Sequence, residues 1–174
     1  MGLCAAGAAG GAGLIDIGSL DQFCAEMRRL ADVIEARAEF VPTCGGSGTD
    51  GFRVNLKDGA IYVLTYSEKG MTDVLAESVE PDAVMEQVFV QVTERIATED
   101  PSMQGPPLGP EDLAALESLS IAEIRAKAQK LQGGVGAIQL RLMTRLNPDW
   151  GRRQAERNAT REQQIQHFFE GDRP

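Results

Sequence analysis

Apolar side chains recur at helical spacing from Leu20 onward, with Phe23, Cys24, Met27, Leu30, Ala31 and Ile34 on one stripe. Ser19, with Gln22 three positions later, supplies a capping-box start, so the spacing predicts a helix over about 20–38. Residues 41–51, VPTCGGSGTDG, read as a loop, and without a terminal Lys-Ser/Thr they do not form a phosphate loop. The apolar period then falls to two. Asp58-Gly59 predicts the tight two-residue turn of a type I′ hairpin, which sets Lys57 opposite Ala60 and Asn55 opposite Tyr62. In that register Phe52, Val54 and Leu56 share a core face with Ile61, Val63 and Thr65, while Tyr62, Leu64 and Tyr66 share the opposite face with Arg53, Asn55 and Lys57. A second turn near Lys69-Gly70 leads to a third strand, about Met71 to Ser78.

Pro81 suits a first helical position, and Val84, Met85, Val88, Phe89, Val92 and Ile96 follow as a helical stripe. Residues 99–110, EDPSMQGPPLGP, break the pattern as an acidic, proline-rich loop. Short helices are expected after it, at about Glu111–Glu117, from a Ser120 cap to Gln132, and at about Val135–Leu146 beyond a Gly133-Gly134 break. Asn147-Pro148 then opens a last helix running to about Phe169. The expected fold is α+β: a small antiparallel sheet of three strands or slightly more, packed against several helices, with a helical C-terminal half. The expected organisation is a Gly/Ala leader over 1–13 and a single domain over 14–174.

Charge narrows the choice of partner. The chain carries a formal net charge of −9, and residues 68–124 hold 13 acids against 2 bases, whereas 125–174 hold 10 bases against 5 acids. Phosphate attraction needs clustered Lys and Arg, so neither nucleic acid nor an anionic membrane is an expected partner, and a basic protein is the natural complement. Arg141, Arg145, Arg152, Arg153, Arg157 and Arg161 lie on predicted helices interspersed with acids, which favours a charge match within the chain. Cys4, Cys24 and Cys44 are an odd, sparse set without a CxxC pair; no disulfide framework or zinc site is expected, and a cytoplasmic location follows.

The candidate chemistry is thin. His167 is the only histidine, no nucleophile has a recognisable partner, and paired carboxylates such as Glu77 with Glu80 lie in a solvated acidic segment. No catalytic residue, metal site or cofactor is expected. Tyr62 and Tyr66, if left uncovered by a terminal helix bearing Trp150, Phe168 and Phe169, offer contact area instead.

The segment IYVLTYSEKGMTDVLAESVEPDAVMEQVFVQVTERIATE, residues 61–99, resembles immunity proteins of bacterial polymorphic toxin systems: a strand, a Glu-basic-Gly turn at Glu68-Lys69-Gly70, a short strand and an amphipathic helix with an acidic start. LRLMTRLNPDWGRRQAERNATREQQIQHFFEGD, residues 140–172, is similar to the C-terminal part of that family, with its junction at Asn147 to Trp150. The resemblance implies a non-enzymatic cytoplasmic antidote, a monomer in a 1:1 complex that occludes the active site of a cognate protein toxin. The residues expected to meet the toxin are Tyr62, Tyr66, Glu68, Asp73, Glu77, Glu99, Asp100, Glu111 and Asp112. A secretion or effector chaperone, also small and acidic, is the alternative.

Overall fold

The computed structural model describes residues 17–46, 50–101 and 120–170. It is an α+β structure whose sheet has the order β1-β2-β3-β4, with β1 Thr43–Cys44, β2 Gly51–Lys57, β3 Ile61–Glu68 and β4 Met71–Ser78. β1 runs parallel to β2, and the other pairs are antiparallel. Four helices accompany it: α1 Leu20–Val33, α2 Pro81–Glu99, α3 Ile121–Leu146 and α4 Pro148–Glu170. Residues 1–13 and the expected helix Glu111–Glu117 lie outside the described residues.

α2 is the hub. It touches β3 and β4 on one side and α3 on the other, and α1 packs beside it. Its apolar stripe, Val84, Met85, Val88, Phe89 and Val92, is completely buried, and Pro81 occupies the start of the helix as expected. Trp150 of α4 stacks on Phe89 with ring centroids 6.0 Å apart. α3 and α4 form an antiparallel pair whose close approach depends on Gly151: a Cβ there would stand 2.8 Å from Thr144 Cα. Asn147 caps α4 by accepting from Asp149 N–H at 2.9 Å.

The hairpin departs from expectation by one residue, with large effect. Asp58 and Gly59 are both left-handed (φ 53° and 72°), and Ala60 N–H donates to Lys57 O at 3.2 Å, as a type I′ turn requires. Ala60 is nevertheless an extra loop residue, because the ladder pairs Lys57 with Ile61, Leu56 with Tyr62, Val54 with Leu64 and Phe52 with Tyr66. Side chains alternate along a strand, so this shift exchanges the faces of β3. Burial explains the choice: the observed register gathers Val54, Leu56, Tyr62 and Leu64 on the helix-facing side, whereas the two-residue register would divide them.

Three further expectations are corrected. α1 stops at Val33 because Glu35 turns left-handed (φ 57°), with Ala36 N–H reaching Ala31 O and Glu35 N–H reaching Asp32 O in a Schellman arrangement that needs no glycine. α3 runs unbroken through Gly133-Gly134. Each glycine costs about 1 kcal/mol relative to alanine in a helix, a penalty that packing against α2 and α4 offsets. Cys24 and Cys44 are joined as a disulfide with Cα atoms 6.2 Å apart, because β1, within the stretch read as loop, adds to β2 directly beside α1.

Candidate interaction surface

The large hydrophobic side chains that stay exposed among the described residues are Met71 (71%), Val74 (58%), Leu75 (41%) and Val79 (66%). All four lie on β4 or its exit. β4 is an edge strand, and its pairing with β3 skips a residue: Leu64 faces Ala76 and Thr65 faces Val74, leaving Leu75 bulged. Soluble proteins seldom gather exposed apolar groups without a use for them.

Acidic groups surround this strip. Glu68, Asp73, Glu77 and Glu80 are exposed on or next to the β3–β4 hairpin. Tyr66 is half-buried: its ring meets Phe52 at 4.9 Å, and its hydroxyl donates to Glu68 Oε2 at 3.1 Å, a bond that raises the phenol's pKa above its ordinary value. Lys69 and Gly70 make the hairpin turn (φ 51° and 83°), and Asp50 accepts from Lys69 N–H at 2.9 Å. On the face away from the helices, Lys57 of β2 reaches across β3 to Glu77 of β4 at 3.0 Å, shielding the row that holds Val63. That ion pair holds the Lys57 ammonium's pKa above its usual value.

The expected site is therefore divided. Tyr66, Glu68, Asp73 and Glu77 share the hairpin. Tyr62 does not share its surface: the register shift turns it into the core at 4% exposure, stacked 5.0 Å from Phe23 with its hydroxyl 3.4 Å from Ile17 O, and burial raises its pKa. Its cover comes from α1, not from a terminal helix. Glu99 ends α2, where it pairs with Arg37, and Asp100 is the C-cap of that helix. Glu111 and Asp112 lie outside the described residues. The sequence does not mark Met71, Val74, Leu75 and Val79 as exposed, because an apolar residue in a strand reads as core unless the strand is known to be an edge; the Asp73 and Glu77 charges beside them are visible in it.

Among the described residues, five of the six arginines singled out in the basic C-terminal region, all but Arg141, pair with acids of the same chain. Glu86 of α2, only 5% exposed, accepts from Arg153 Nε at 2.7 Å and from Arg157 Nη1 at 2.9 Å. Arg161 reaches Glu94 at 3.5 Å, and Arg145 and Arg152 pair with Glu35 and Asp149. Gln154 joins this seam by donating to Gln139 Oε1 and Asn158 Oδ1, both at 2.9 Å. Asp82, one turn before Glu86, has its carboxyl pKa raised by burial and by the Glu86 charge, partly offset by Arg153. The Trp150 indole N–H lies close enough to oppose that rise, but the two groups do not form a hydrogen bond of normal geometry.

Among the described residues no three potential metal ligands gather, and no helix is long and apolar enough to cross a membrane. No family model, curated protein or solved structure matches this chain.

Proposed function

We propose that this chain is an immunity protein: it binds a cognate protein toxin 1:1 and neutralises it by covering the toxin's active site, acting by binding and not by catalysis. One observation carries the reading. Among the described residues the exposed large hydrophobics are concentrated on a single acidic hairpin, and Arg145, Arg152, Arg153, Arg157 and Arg161 are engaged by acids of the same chain. A basic toxin domain would approach along the field of Asp73 and Glu80, with Glu68 and Glu77 shared with Lys69 and Lys57 of this chain, and burial of Met71, Val74, Leu75 and Val79 would hold it.

The expected cytoplasmic location rested on a cysteine set without a disulfide, and the Cys24–Cys44 bond withdraws that support. The redox state of this pair in living cells reads the compartment directly. The exposed edge also favours a second reading, a chaperone that holds an extended segment of a secreted effector.

The decisive experiment is growth of a host expressing the C-terminal domain encoded by the neighbouring upstream gene, with and without this protein, followed by co-purification. Rescue with a stable complex on the folded toxin domain is the expected result. Toxicity without rescue, or binding confined to unfolded client segments, would overturn the antidote reading.

A further inference from the structure

β4 has backbone to offer as well as side chains. Among the described residues it pairs only with β3, so alternate N–H and C=O groups along Met71–Ser78 point outward, and no backbone hydrogen bond to another described residue outside that ladder involves them. Edge strands are usually blunted by lysine or proline; β4, MTDVLAES, has neither, and its protective devices are the Asp73 and Glu77 charges and the bulge at Leu75.

We propose that the outer edge of β4 accepts a strand from a basic partner protein, which extends the sheet by one member. The proposal rests on the binding role above and specifies how that surface is used. Main-chain hydrogen bonds would supply affinity, and alternate side chains would supply selectivity. Across a new strand, Val74 on the outer row and Met71 on the helix-side row meet apolar groups, while Asp73 meets Lys or Arg and Glu77 shares a second cation with Lys57. The same charges disfavour a second copy of this chain: pairing β4 with β4 would bring Asp73 and Glu77 of both copies, with Glu68 and Glu80 nearby, onto one seam.

The test uses the full chain, isotopically labelled, with a synthetic eight-residue peptide alternating Lys or Arg with Val or Thr. Millimolar peptide is expected to slow hydrogen exchange at alternate amides within residues 71–78 by at least tenfold. The same composition with a central proline is expected to give no protection, as is the basic peptide on a Val74→Lys, Leu75→Lys variant whose α2 amides remain unchanged. The proposal is overturned if β4 amides are not slowed, if the proline peptide protects them equally, or if protection survives in the variant. A dimer of the free chain that Val74→Lys dissolves would make a second copy the occupant and overturn the choice of partner. β4 protection without rescue from a toxin would remove the immunity reading and leave this one standing; rescue without β4 protection would do the reverse.

Discussion

β4 and α2 are separated in sequence by Val79 and Glu80 alone, and they treat their side chains in opposite ways. α2 buries a carboxyl group, Glu86, and supplies it with two arginines; β4 exposes Met71, Val74 and Leu75 and, among the described residues, pairs its backbone on one side only. A buried charge is tolerated only when its partners are present, so the α2 seam is organised for integrity. Exposed apolar groups on an edge add little to folding, so the β4 strip contributes less to integrity than the α2 seam does. The comparison separates residues whose loss is expected to unfold the chain from residues whose loss is expected to spare the fold and, on the proposed function, to abolish binding.

The largest expected effect comes from stranding Glu86. Replacing Arg153 and Arg157 together by Met should cost about 3–5 kcal/mol in urea unfolding, because a buried carboxylate is left without a cation. Adding Glu86→Gln should restore part of that loss, and an equal cost with and without it would show the seam to be hydrated. Next comes the disulfide. Cys24 and Cys44 are 20 residues apart, and opening that loop by Cys24→Ser with Cys44→Ser should cost about 3 kcal/mol by chain entropy.

A smaller effect of opposite sign is expected at Asp82. Its folded pKa is raised above the ordinary 3.8, so between those two values the native state holds the proton more tightly than the unfolded chain does. Stability from this group therefore falls as pH rises through that window. Asp82→Asn should raise stability at pH 7 by less than about 1 kcal/mol, with the gain gone below the ordinary carboxylate pKa; thermal melts at pH 7 and pH 3 check both halves. The smallest change in stability, within about 0.5 kcal/mol, is expected for Val74→Lys with Leu75→Lys, and that variant should nevertheless lose toxin neutralisation in the growth assay. A well-folded variant that still neutralises would place docking elsewhere.

Local chemistry made several elements legible in the sequence. Pro81, the Asn147-Pro148 cap and the Lys69-Gly70 turn act within a few residues, and the structure uses each as expected. What escaped depends on contacts distant in sequence. Asp58-Gly59 specified the turn but not the extra residue at Ala60, which was decided by which side chains of β3 could reach the helices. β1 is only two residues long and gains its identity from β2, and the disulfide follows from that placement. Gly133-Gly134 would end an isolated helix but not one braced on two sides. Of the candidate surface, the acids were visible because charge is visible in a sequence; the apolar strip was not, since edge and core strands can have the same composition.

The Cys24–Cys44 bond also has a mechanical meaning. A chain drawn from one end, whether by an unfolding motor or through a narrow pore, cannot pay out the 19 residues between Cys24 and Cys44 while the bond is intact. The oxidised chain is thus shorter than the reduced one by about 70 Å of contour at roughly 3.5 Å per residue, and it must pass any constriction as a doubled strand. Oxidation state therefore sets the width of pore that can thread this protein.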